Sequence, residues 1–263
     1  MDVREKARNI LPLLIELAKS LTDLSIDIVN FEKRPNRDAD HFGFMSFCFL
    51  CKQIENLKAI VLLYKAEDYK NAAVIARSSI EGMALILWAY KEPSERALSW
   101  RKYIIVEDYL RSLRNGIKPI NNQDYCDLEQ VLIREGKQFL TNKSKSKEFP
   151  WQENDFHKNW YGGKSVDKIF EDVEGELLYK ICYKDHSSII HWTPRGLATS
   201  LHEIGNNKIF SSKSCFDIGA TALINGFHAL IQTLVLFNFH LDLGFDDKIQ
   251  NLYDNYVKVN EEA

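Results

Sequence analysis

The chain has 263 residues, 45% of them hydrophobic and 12% aromatic, with a formal net charge of −3. That length and apolar content suffice for one sizeable core, and no Pro/Gly/Ser linker divides the chain, so a single domain over 1–263 is expected. Near-balanced charge argues against general DNA coating and against attraction to an anionic membrane.

The opening stretch MDVREKARNILPLLIELAKSL mixes both charge signs before any apolar run and lacks a small-residue cleavage site, so it does not read as a signal peptide. The most membrane-like run, ALINGFHALIQTLVLFNFHL (222–241), is interrupted by Asn225, His228, Gln232, Asn238 and His240. Hydrocarbon would leave those groups unpaired, so a buried helix of a soluble protein with no membrane contact is expected. Five cysteines, an odd number, read as reduced thiols in a cytoplasmic protein. Cys48 and Cys51 form a CxxC inside FGFMSFCFLC, but no second CxxC completes a zinc site, and core packing is the simpler reading.

Helical periodicity dominates the chain, and alternating strand-like runs are scarce. Long helices are predicted at 2–30, 39–66, 68–91, 94–115, 121–142, 165–190 and 212–241, with a short one at 245–258. Together they predict an all-α fold, a single bundle of about seven long helices with a polar centre. Pro12 falls inside the first helix, where it kinks the helix or starts it afresh. Pro93 suits the first turn of the fourth. The longest irregular stretch is 143–164, KSKSKEFPWQENDFHKNWYGGK. Its GGKS lacks the earlier glycine and the preceding strand of a phosphate loop, and Ser165 reads better as a helix cap. Lys143, Lys145 and Lys147 near Trp151 can meet RNA by charge and stacking, although a solvated flexible loop is the simpler expectation.

The stretch AAVIARSSIEGMALILWAY (72–90) of the third helix is apolar almost all round, and its charges before Lys91 are Arg77 and Glu81, at i and i+4 on one face. A buried charge has to be paired. Either the two form a structural ion pair, or Glu81 holds Arg77 so that it presents donors to an anion or polar ligand. In the sixth helix Tyr183, Ser187 and His191 follow at i, i+4 and i+8, while His186 falls on a tyrosine stripe and reads as a packed core residue. No G-x-S-x-G supports a serine hydrolase. His186 and His191 lie too far apart around a helix to share a metal, and neither metal nor cofactor is expected. In the helix at 212–241 Asp217, Thr221, Asn225, His228 and Gln232 make a narrow, mostly uncharged stripe, which suits either a polar cavity or an outer face.

Metal-independent RNA cleavage needs a base for the 2′-hydroxyl, a cation for the phosphorane and an acid for the leaving oxygen, and His and Arg supply all three. Arg195 and His202 fit an R-x(4–6)-H pattern that resembles the signature of HEPN helical ribonucleases; Arg34 and His41 fit it too, and Gly196 stands where those enzymes favour a polar residue. Three segments, ARSSIE, W…GGKSV and LYKICYKDHSSIIHWTPRGL, resemble an uncharacterised bacterial all-helical family, a domain of unknown function, over roughly 60 to 240. On that resemblance Arg77, Glu81, Tyr183, Ser187 and His191 occupy the family's motif positions. The family is similar in turn to abortive-infection and HEPN-like proteins, which implies a role in phage defence or RNA cleavage.

Two functions are therefore expected. One is a HEPN-like ribonuclease or toxin-type effector using His191, Arg195, Arg77 and Glu81. The other is a non-enzymatic helical module that binds a small polar ligand or a protein partner through Tyr183, Ser187, Asn225 and His228. RNA, a second copy of the chain and another protein are the candidate partners.

Overall fold

A computed structural model describes residues 3–31, 40–115, 122–190, 194, 201–204, 207–210 and 215–261. Five helices come first: α1 (Val3–Val29), α2 (His41–Lys65), α3 (Tyr69–Tyr90), α4 (Pro93–Asn115) and α5 (Asn122–Glu135). The first four match the apolar periodicity, whereas α5 ends at Glu135, short of the expected 142, and gives way to a 3-10 turn (Gly136–Phe139); α1 runs through Pro12 as one helix while burying Leu11, Leu14, Ala18, Leu21 and Ile28. After an irregular stretch come α6 (Val166–Asp172), α7 (Glu176–Leu178), a π-helical turn (Tyr179–Tyr183) and α8 (Lys184–Ile190). A short antiparallel hairpin, β1 (Leu201–Ile204) and β2 (Asn207–Phe210), precedes α9 (Phe216–Leu241) and α10 (Asp246–Glu261). The class is all-α, with that hairpin the one departure among the described residues.

Two expectations need correction. The hairpin occupies sequence for which no element was predicted, and it pairs His202 with Ile209. The helix predicted over 165–190 is divided, so the described helical segments outnumber the expected seven. Its break lies at Glu174, held in the left-handed conformation (φ 58°), and Gly175. There Gly175 N donates to Phe170 O at 2.8 Å and Glu174 N to Glu171 O at 3.1 Å, the paired bonds of a Schellman end. The same arrangement ends α2 at Glu67 and α9 at Asp242.

The chain forms two compact units, residues 1–88 with 166–263, and 89–165. In the first, α2 and α9 pack closely because Gly226 replaces a side chain with space. A Cβ there would lie 2.6 Å from Ile60 Cδ1, and Leu57, Ile60, Leu223, Phe227 and Leu230 fill the surrounding core. Helices α3 and α9 are long and apolar enough to cross a bilayer by length and composition, and more than half of the most apolar stretch of each is buried within the protein. Polar groups secure the helix ends. Asp40 accepts from Gly43 N at 2.9 Å to cap α2 and meets His240 Nε2 of α9 at 3.0 Å. Buried Asn238 accepts from Phe245 N and donates to Asp246, joining α9 to α10.

In the second unit α4 and α5 pack with the irregular stretch around Tyr103, Val106, Tyr109, Leu132, Phe139 and Trp151. The solvated, flexible loop expected here is instead built around a buried carboxylate. Asp155 takes Lys147 Nζ at 2.5 Å, Ser144 Oγ at 2.7 Å and Gln152 N at 2.8 Å. Those bonds hold its carboxyl at about 2, below the ordinary range. Trp151 is buried, so it offers no free face for stacking a base.

Two substitutions test these packing arguments by urea denaturation. Gly226→Val drives a side chain into Ile60 and is expected to cost about 1–3 kcal/mol. Glu174→Gly relieves the left-handed position and is expected to raise stability by about 0.5–1 kcal/mol.

Candidate functional site

Arg77 sits in the middle of α3, half-buried on a helix whose Ala76, Ile80, Ala84 and Ile86 are fully packed. A guanidinium in that setting must find acceptors or carry a heavy desolvation cost. It finds them on the segment 179–190. Arg77 Nε donates to Ser187 Oγ at 2.8 Å, and Nη2 donates to the Tyr183 hydroxyl at 2.5 Å. The guanidinium carbon also lies 4.4 Å from the centre of the Tyr183 ring, within cation–π range. Glu81, one turn on in α3, accepts from the Tyr183 hydroxyl at 3.2 Å and lies 3.8 Å from Arg77 Nη2. Ser187 completes the set by donating to Tyr183 O at 2.7 Å. The two charged side chains retain 22% and 28% of their exposure, enough for a ligand to reach them.

Local structure explains why Tyr183 and Ser187 arrive there. The turn Tyr179–Tyr183 is π-helical, and such a turn holds the equivalent of one extra residue, which resets the faces of the helix beyond it. Phe170 of α6 packs on both tyrosines, and Tyr179 stacks on Tyr183 at 5.3 Å. Trp88 Nε1 donates to Asp172 at 2.9 Å, tying the end of α3 to α6 beside this aromatic group. Burial, followed by the Glu81 charge, pushes the Tyr183 hydroxyl up to about 12. It is therefore a neutral donor at physiological pH and serves as no base.

Four of the residues singled out in the sequence, Arg77, Glu81, Tyr183 and Ser187, meet in one place. Asn225 does not join them. It lies buried on α9 with its Nδ2 3.0 Å from His186 Nε2, and it also bonds the thiol of Cys182. His186 is thus the packed, partnered core residue that its position on the tyrosine stripe suggested. Burial drops its imidazole to about 4, so it is neutral, with Nε2 accepting and the proton on Nδ1. His228 is half-buried on α9, and burial lowers its imidazole below the ordinary value. Asp217 and Thr221, at the start of the α9 stripe, line a groove of about 280 Å3 with Asp185 and Ser188. The stripe therefore runs from an open groove into a buried pair, uniting the two alternatives the sequence left open. His191 and Arg195 lie outside the described residues. Among the described residues no group of three or more His, Cys, Asp or Glu side chains is placed to hold a metal.

Sequence reasoning missed the π-turn, the Trp88–Asp172 bond and the partnership of Asn225 with His186. None of these left a local signal, although the break that precedes the π-turn did, since a glycine at the end of a helical run, here Gly175, is a common helix stop.

The protein is thus an all-α protein with a half-buried arginine centre, built from one apolar helix and one π-distorted segment. It belongs to the Family of unknown function (DUF5677), whose model matches residues 43–209. The matched range contains Arg77, Glu81, Tyr183 and Ser187, and stops short of Asn225 and His228. No curated protein and no solved structure matches the chain.

Removing the guanidinium in Arg77→Ala takes a donor from Tyr183 and Ser187 and the neighbouring cation from Glu81, and a loss of about 1–3 kcal/mol is expected by chemical denaturation. Arg77→Lys should recover little of it, because one ammonium cannot reproduce the fork that serves both Ser187 and Tyr183.

The histidines set a pH dependence. The folded value of His186 lies below the unfolded one, so its contribution is fully present above about pH 6.5 and declines as pH falls towards about 4. Across that window the unfolded chain takes up the proton first, which amounts to a few kcal/mol. His228 is lowered by burial too and acts in the same direction. The double variant His186→Gln/His228→Gln should flatten the fall of urea midpoint with pH. A slope identical to that of the parent protein would contradict buried neutral imidazoles.

Proposed function

We propose that the protein is a HEPN-like, metal-independent ribonuclease acting as a toxin-type effector in bacterial phage defence, in the cytoplasm. One observation carries this reading. Arg77 is fixed on Tyr183 and Ser187, and these are the first two members of the i, i+4, i+8 series that continues to His191. In the proposed reaction His191 takes the proton of a ribose 2′-hydroxyl, and the 2′-oxygen attacks the adjacent phosphorus. The P–O5′ bond breaks, leaving a 2′,3′-cyclic phosphate, and the departing 5′-oxygen takes its proton from the imidazolium of His191, which returns to its neutral form. Arg77, or Arg195, meets the negative charge that builds on the phosphorane oxygens. Glu81 and Tyr183 orient Arg77, and Tyr183 stays protonated throughout.

A second reading, a non-enzymatic module for a small polar ligand or a protein partner, draws on the internal bonding of the same group. With Nε and Nη2 of Arg77 already occupied, the guanidinium can offer its remaining donors to an anion without any reaction following.

Purified protein incubated with single-stranded RNA in chelator separates the two. Cleavage to cyclic-phosphate ends, reduced at least about a hundredfold by His191→Ala and by Arg77→Ala, is the expected result. Full cleavage by His191→Ala would remove that residue from the mechanism. Absence of cleavage of any RNA, together with no toxicity on expression, would favour the binding module.

A further inference from the structure

The second unit contains a cleft of about 1080 Å3, at the upper end of the range for small-molecule sites. One wall is a single face of α4, where Tyr103, Glu107, Leu110, Arg111 and Arg114 recur at helical spacing. The other is the stretch 153–163, which contributes Asn154, Phe156, His157, Lys158 and Asn159.

This wall is fixed in place before any ligand arrives. Asp155, between the lining residues, is anchored by Lys147, Ser144 and Gln152 N, and remains ionised at neutral pH. The Tyr103 hydroxyl, a neutral donor pushed up to about 12 by burial, donates to His157 O at 2.7 Å. Gly163 adopts a left-handed conformation (φ 75°), and a Cβ on it would lie 2.3 Å from His157 Nδ1. The imidazole therefore occupies space that only glycine leaves open.

The chemistry of the lining is specific. Arg111, Arg114 and Lys158 oppose two carboxylates, Glu107 and Glu153, and Glu153 is bonded to Arg114 at 2.5 Å. Three cations against two carboxylates leave the lining itself one positive charge in excess, with Arg114 bonded to Glu153 and Arg111 lying 3.7 Å from Asp108 outside the lining. Asn115, Asn154 and Asn159 add side-chain amides, which donate and accept at once. Leu110 and Phe156 supply apolar surface beneath them. A bare anion needs neither the amides nor this volume. A phosphate joined to a hydroxyl-rich sugar and a base edge uses all three kinds of group.

We propose that this cleft is a binding site for a nucleoside phosphate, taken either as a free nucleotide or as one unit of an RNA strand. Its residues are separate from those of the Arg77 centre. Loss of cleavage in Arg77→Ala would leave binding here unchanged, so failure of one reading is distinguishable from failure of the other.

Calorimetric titration of the full-length protein with AMP, and separately with a short oligouridylate, both in chelator, tests the site. Binding is expected to weaken about tenfold or more in Arg111→Glu/Lys158→Glu, in which both altered side chains are exposed and the fold is left intact. The matched charge reversal Lys52→Glu/Lys58→Glu, on the exposed face of α2, should bind like the parent protein. Binding of AMP alone assigns the free nucleotide, and binding of the oligonucleotide alone assigns the strand. No binding of either, or equal weakening by the two double variants, overturns the proposal.

Discussion

A guanidinium in the middle of an apolar helix dictates much of its surroundings. Helix α3 is packed on most of its circumference, so the largely covered Arg77 guanidinium loses most of its hydration and must be met by acceptors from another segment. Tyr183 and Ser187 meet it, and they can do so because the helix carrying them starts afresh after Gly175 and passes through a π-turn. The break, the π-turn and the aromatic group of Phe170, Tyr179 and Tyr183 are thus linked consequences of satisfying one charge. The same bonds that stabilise the arginine also orient it, which is why a stabilising contact and a functional one are here the same atoms.

Elsewhere in the first unit the same rule operates at helix ends. Apolar helices such as α9 leave carbonyls and amides to be satisfied at their termini, and Asp40, Asn238 and the Schellman ends do this. Among the described residues the three left-handed positions outside glycine, Glu67, Glu174 and Asp242, are all acidic. An ordinary residue tolerates that conformation only at some cost, so these ends are held by the packing of the segments after them. The second unit solves the problem differently. A long stretch without regular structure is made rigid by one buried carboxylate, and the side chains flanking Asp155 become a wall of the cleft.

Much of this was legible from the residues. The helices expected at 39–66, 68–91, 94–115 and 212–241 lie within a few residues of those observed at 41–65, 69–90, 93–115 and 216–241, because a long amphipathic period has few competing explanations. The pairing of Arg77 with Glu81 came from their i, i+4 spacing in an apolar helix, and the core position of His186 from its stripe. The division of 165–190 at Glu174 and Gly175 does not show in the periodicity, and neither does the π-turn beyond it, since such a turn preserves the composition of a helix while changing only its register. Nor does the order within 143–164. Its lysines read as solvated charge, whereas one of them, Lys147, closes a ring of bonds around Asp155.

By itself, then, the sequence determined the all-α class, the main helices and the need for Arg77 to be partnered, because periodicity and the cost of burying charge act locally. Tertiary structure alone decided which partners were chosen. Asn225 went to His186, while Tyr183 and Ser187 went to Arg77. That choice depends on how a π-distorted segment is rotated against α3 and α9, and residues 39 to 110 positions apart carry no local signal of it.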